Sequence, residues 1–397
     1  MIRSRLLLVL LVLGWSTMSR ISSAYPEPYR PTNDTEVLER LSFKATDPIA
    51  RELETLRADL QYNPRHLESA VKLAARYIEQ GRSEGDPRFL GQAHAILTPW
   101  WNEPIPPVST LLLRATIRQN AHEFDQALGD LDQVLDRQPT NAQAWLTKAS
   151  ILQVQARYDE ARRACQRLAR SAASHVLIGC LSDIAGLTGQ SMKSRDLLRQ
   201  VLSESAVSGR ERIWLATILA ETAARTGAMR EAEQSFAEAF KVGIKDQYLL
   251  SAYADYLLDQ RRYQDAISLL RSETRTDGLL LRLTLAEQAL ELPLSQNHTA
   301  ELAARFAAGR ERGTTVHIRE EARFTLALLH DAGRALPLAQ ANWNVQREPA
   351  DARILLECAL ADKNRAAARP VLDWLNSNHV EDFRLRQLAR QIQEMIF

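Results

Sequence analysis

The chain has 397 residues, with 50 Lys and Arg against 49 Asp and Glu, for a formal charge of +1. That balance excludes the basic stripe with which nucleic-acid binders gather phosphates, so no nucleic-acid partner is expected. Ala, Leu, Arg, Glu and Gln dominate while Val and Ile are sparse and rarely alternate with polar residues, so the fold class is all-α.

At the N-terminus, Arg3 and Arg5 precede an apolar run over residues 6–15, and Ser22, Ser23 and Ala24 offer small residues for cleavage. This layout predicts a signal peptide over 1–24, since the run falls well short of the roughly 20 residues a spanning helix needs. Arg20 interrupts the stretch, and an uncleaved anchor is the alternative; a membrane is expected as a partner only in that case. Export follows from this reading, to the periplasm in a bacterium and into the secretory pathway otherwise. Removing 1–24, which carry three Arg and no acid, takes the net charge from +1 to −2.

Residues 25–46 form a tether with a short helix, proline-rich and extended at Tyr25, Pro26, Pro28 and Pro31. Asp47 and Pro48 then mark a helix start, with a capping side chain followed by proline at the first helical position. Leu53, Leu56 and Leu60 share one face of that helix and cover whatever follows.

From 47 to 379 a pattern returns at about 34 residues, the length of one helical hairpin. It reads Leu111, Ala115, Phe124, Ala127, Leu131, Pro139; then Trp145, Ala149, Leu152, Tyr158, Ala161, Leu168; then Leu250, Ala254, Leu257, Tyr263, Ala266, Leu270. Small residues let helix axes approach closely, and large ones fill the space between neighbouring hairpins. Weaker blocks carry Leu73, Ala74, Tyr77 and Gly81; Leu181, Gly189 and Leu198; and Leu219, Ala220, Gly227, Ala232 and Phe236. Beyond Gly278 the pattern blurs, giving about eight units, five of them clear. Two segments interrupt it. Residues 98–107 hold four prolines, which disfavour helix, with Trp100 and Trp101 either touching a ligand or plugging a stretched junction. Residues 291–299 are expected to form a polar loop. A closing helix is expected over 380–397, with Phe383, Leu385, Leu388, Ile392 and Ile396 along it.

These repeats resemble the tetratricopeptide (TPR) repeat, a helix–turn–helix unit with a bulky–small–aromatic–small–Pro signature. The resemblance implies a right-handed α–α superhelical solenoid whose first helices line a concave groove. It puts Thr116, Gln119, Asn120, Ser150, Gln153, Asp183, Glu221, Arg225, Asp255 and Asp259 on that groove. The amides suit the backbone of an extended peptide and the acids suit a basic segment, so a protein or peptide partner is implied. Members that clamp a C-terminal carboxylate use Lys, Arg and Asn, where this chain has Leu112, Leu146, Thr217 and Ser251. The implied function is an exported, non-catalytic adaptor or scaffold; the alternative is a spacer subunit of a cell-envelope assembly. The oligomeric state is not set by the sequence.

No motif supplies catalysis, and no cofactor or metal is expected. The eight histidines are scattered, and neither a Gly-rich phosphate loop nor a nucleophile elbow is present. Asp255 and Asp259, four apart on one helix face, are conceivable as a weak cation site. Arg163, Arg167 and Arg170 read as a solvated face, paired with Asp159 and Glu160 at helical spacing. Cys165 and Cys180 fall on neighbouring helices, as a disulfide or as two small buried hydrophobes, with Cys358 left over.

Overall fold

The computed structural model describes residues 31–33, 35–37, 48–204, 206–313 and 316–395. The expected signal peptide, most of the tether, Asp47 and Ile396 lie outside the described residues. Twenty α-helices and no strands are found among those described. Helix α1 (Pro48–Tyr62) leads into nine hairpins. The first four are α2 (Leu67–Glu84) with α3 (Arg88–Trp101), α4 (Val108–Asn120) with α5 (Phe124–Arg137), α6 (Ala142–Val154) with α7 (Tyr158–Arg167), and α8 (Ser174–Leu187) with α9 (Ser191–Leu202). The next three are α10 (Gly209–Arg225) with α11 (Met229–Lys241), α12 (Gln247–Asp259) with α13 (Tyr263–Leu270), and α14 (Asp277–Ala289) with α15 (Leu294–Glu311). The last two are α16 (Ile318–Ala327) with α17 (Ala332–Val345) and α18 (Pro349–Ala361) with α19 (Arg365–Ser377), and α20 (Phe383–Gln393) closes the chain. The fold is an all-α repeat solenoid.

Every hairpin turns on one residue in the left-handed region. These are Gly85, His122, Ala156, Gly189, Gly227, Arg261, Glu291, His330 and Lys363, with φ between 53° and 83°. The residue after each closes the turn by donating its N–H five or six residues back, as Arg157 does to Leu152 (2.8 Å) and Asn364 to Ala359 (2.8 Å). Six of the nine carry a side chain where glycine is cheapest. Lys363 is exposed and makes no ion pair among the described residues. Lys363→Gly is therefore expected to raise stability by about 0.5–1 kcal/mol, relief of strain outweighing the added freedom of the unfolded chain. A chemical denaturation midpoint checks this; an unchanged or lower midpoint contradicts it.

Two expectations are corrected. Pro99 does not end helix α3, which runs through it to Trp101, because a proline in the last turn costs one hydrogen bond that the helix end can spare. The 291–299 segment is not a loop: only Glu291 to Pro293 turn, and α15 takes up the chain from Leu294. At the 98–107 junction Trp100 is buried, and Trp101 stacks on His94 with Arg114 and Arg118 over its ring. The tryptophans thus plug the junction.

The solenoid does not stay open. Its hairpin turns meet loops from much later repeats. Gly85 abuts Gln247 and Thr276, and Asp86 pairs with Arg275 at 3.7 Å. His122 meets Gln346 at 3.3 Å, and Arg347 donates its N–H to the carbonyl of Val154 at 2.8 Å. Trp374 donates its indole N–H to the Tyr158 hydroxyl at 3.2 Å, and Ser191 donates its N–H to Glu381 at 2.9 Å. At Gly189 (φ +73°) a Cβ would come within 2.9 Å of the His379 Cβ, so both the turn and the close approach need glycine. One buried cluster spans this seam, joining Leu111, Ala149, Leu152 and Ile184 to Ala339, Leu355, Val371 and Ile392.

Candidate functional site

The first helices of successive hairpins are linked side chain to side chain. Gln119 on α4 reaches Ser150 on α6 at 3.4 Å, and Gln153 on α6 donates to Asp183 on α8 at 2.8 Å. Tyr248 on α12 donates to Glu221 on α10 at 3.0 Å. Thr116 and Asn120 instead bond back to carbonyls of their own helix, at Leu112 and Thr116. Glu221, Arg225, Asp255 and Asp259 converge on one cavity of ≈ 180 Å³, walled on the far side by Arg323, Arg353 and Arg384. The other six predicted residues lie outside that cavity.

The acids at its wall are already engaged. Asp255 accepts from Arg282 at 2.6 Å and from Arg323 at 2.6 Å. Asp259 accepts from Arg353 at 2.8 Å and also pairs with Arg384. Burial alone would raise the Asp255 carboxyl, but the two guanidiniums hold it well below the usual range. The expected acidic half of the groove is thus neutralised by arginines of the chain's own later helices. For the same reason Asp255 and Asp259 do not form the conceivable cation site: each faces two fixed cations. Among the described residues no group of three His, Cys, Asp or Glu side chains is gathered as a metal would need.

Arg225 differs from the arginines opposite. Among the described residues its one hydrogen bond goes to Thr222 (3.0 Å), no carboxylate lies within ion-pair distance, and its buried Nε has no partner. Around it the carboxylates are reluctant to ionise. Burial pushes Glu221 up to about 7 against the pull of Arg225, and raises Asp183 and Asp382 as well. Glu348, ahead of α18, is raised by burial and by the neighbouring Asp351. Tyr248 leaves 61% of its surface open, yet Glu221, Glu348 and Asp183 all act on it, so that surface faces the concavity. None of these partners was readable from sequence, because Arg323, Arg353 and Arg384 arrive from helices 68 to 125 residues away from the acids they meet, far beyond any local spacing.

A pH effect follows. Glu221 goes from an ordinary value of 4.5 to about 7, so the folded chain binds more protons there than the unfolded chain between those values. Its contribution is fully present below about pH 4.5 and is lost as pH rises through 7. Glu221→Gln is expected to match the wild type at pH 5 and to be about 1–2 kcal/mol more stable at pH 8, a figure reduced for solvent access. Denaturation at both pH values checks this; equal differences at the two would contradict it.

The Arg163 face is solvated, though with other partners than the spacing suggested: Asp159 pairs with Arg162 and Glu160 with Arg157, each at 2.7 Å. Cys165 and Cys180 form a disulfide, with Cα atoms 5.7 Å apart, and Cys358 is free and buried. No described helix is long and apolar enough to cross a membrane.

Residues 120–176 match the model of the tetratricopeptide repeat. No curated protein matches the chain. Among solved structures it is similar to a chain of the APC/C hetero-tetramer Cut9–Hcn1, at 15% identity over 78% of this chain and 52% of that one, TM-score 0.40. It is also similar to the TPR domain of P58(IPK), at 14% identity over 87% and 98%, TM-score 0.22. Yeast Tom70 matches at 11% identity over 87% and 96%, TM-score 0.29. The chain spans about half the length of the Cut9–Hcn1 chain it matches.

Proposed function

We propose that this chain, whose residues 120–176 are a tetratricopeptide repeat, is an exported adaptor that holds an acidic peptide segment of a partner against the inner helices at Arg225. A repeat solenoid of this kind is in general a protein–protein interaction scaffold. The observation that carries the finer reading is the state of Arg225: a half-buried guanidinium whose Nε has no partner and which pairs with no carboxylate of the described residues, on the wall of the cavity it shares with Glu221. A bound carboxylate would give it the charged partner that Arg282 has in Asp255 and Arg353 has in Asp259. The acids at 255 and 259 are neutralised, so a basic segment has less to gain there than the composition of the groove suggested. The Cys165–Cys180 disulfide supports an oxidising compartment and hence export.

The test is binding of fluorescent acidic and basic peptides, followed by anisotropy. Acidic peptides should bind, and Arg225→Ala should weaken them at least tenfold, about 1.4 kcal/mol for one charge-assisted contact. Retention of full affinity in the variant would move the contact elsewhere. Preference for basic peptides would refute the charge argument.

A further inference from the structure

Glu221 and Arg225 stand one turn apart on the inner face of α10, with the acid N-terminal to the base, the favoured order for a helical ion pair. Both line the same cavity, yet the pair is not made. Glu221 is held by a neighbouring helix instead: the Tyr248 hydroxyl on α12 donates to its carboxyl, 3.0 and 3.2 Å from the two oxygens. Arg225 turns to the Thr222 hydroxyl at 3.0 Å, and its Nε has no partner among the described residues. The other arginines of the cavity wall, 282, 319, 323, 353 and 384, each pair with a carboxylate. Among the described residues, then, the wall has one open cation, and an acid one turn away on the same helix is free to reach it.

We infer that Glu221 is an internal competitor for Arg225: as a carboxylate it closes on the guanidinium and displaces an acidic segment, and as a neutral acid it leaves the guanidinium open to one. This rests on the reading that Arg225 holds an acidic segment, and it adds regulation by pH. The groups around Glu221 set the direction. Asp183 from α8, Glu348 from ahead of α18 and burial itself oppose a negative charge there, while Arg225 and the Tyr248 hydroxyl favour one. Of the charges on α9 and α11, the other helices packed on α10, Arg195 and Arg199 pair with Glu231, and Glu233 pairs with Arg262. Burial prevails, so Glu221 takes up its charge only near pH 7. Below that, Arg225 has no charged rival on its own helix. Above it, the pair within α10 deprives a guest of its contact. By linkage, an acidic guest at Arg225 holds the Glu221 proton more tightly, so binding takes up a proton.

Anisotropy of a fluorescent Asp–Ser peptide with blocked ends, measured at about pH 5.5 and about pH 8.5, tests this, since the peptide's carboxylates are ionised at both. The wild type should bind about tenfold more weakly at the higher pH, the loss of one charge-assisted contact. Glu221→Gln should bind equally at the two pH values, and Arg225→Ala should bind weakly at both. Equal wild-type affinity at the two, with Arg225→Ala still weaker, would overturn the competition and leave the Arg225 reading standing. So would a pH dependence that survives Glu221→Gln, which would place the competing charge on Asp183, Glu348 or Asp382. Binding untouched by Arg225→Ala, or absent from the wild type at both pH values, would remove the site itself and the inference with it.

Discussion

Asp130→Ala is expected to cost the fold about 3–5 kcal/mol, the largest loss from any single side chain described above. Asp130 is 2% exposed and accepts two hydrogen bonds from the Arg114 guanidinium, at 2.6 and 2.9 Å, and one from Arg118 at 2.7 Å. Arg114 is itself 7% exposed and also donates to the Trp101 carbonyl. Removing the carboxylate leaves a buried cation with no counter-charge, and Trp101 loses the two guanidiniums held over its ring. The junction between the first two hairpins should loosen as a unit. Replacing both partners by apolar side chains (Arg114→Met with Asp130→Leu) should recover most of the loss, since the desolvation cost disappears with the charges. Denaturant midpoints of the single and double variants measure this. A double variant no better than Asp130→Ala alone would mean that packing, not charge, holds the junction.

The second large effect is at the disulfide. Cys165 and Cys180 are almost fully buried and close a loop with a sequence separation of 15. Changing both to Ala should cost about 3 kcal/mol in the chain-entropy account, with little added cavity because each change removes only a sulfur atom. Thiol titration of the protein unfolded without reductant should find one free group, Cys358, and three after reduction. In the native state Cys358 should stay silent, because burial pushes its thiol up to about 12. Three reactive groups before reduction would refute the pairing.

The repeats were legible wherever a hairpin keeps its aromatic and its small residues at regular distances, as at Trp145, Ala149, Tyr158 and Ala161. They blurred after Gly278 for a physical reason. The seventh hairpin pairs a 13-residue helix with one of 18, and the eighth opens with a helix of 10, so the 34-residue period breaks while the packing does not. Turns at His122, Ala156, Arg261, Glu291, His330 and Lys363 gave no signal, because a left-handed residue is recognisable in sequence only when it is glycine. The groove residues were placed on the first helices by the repeat alone, and Gln119, Ser150, Gln153 and Asp183 link those helices in series. What no spacing could convey is the return of the chain on itself. Asp255 and Asp259 look like free acids until Arg323, Arg353 and Arg384 arrive from the C-terminal third.

That return has a consequence for how the polypeptide is made. The cluster that contains Leu111, Leu152 and Ile184 is completed by Leu355, Val371 and Ile392. At about 5–20 residues per second, synthesis leaves the early half without its cover for roughly 10–40 s. An open array could lock each hairpin as it left the ribosome, but this one cannot be finished until its last helix has emerged. A nascent chain that cannot close early remains threadable, the condition that passage through a narrow translocation channel would require.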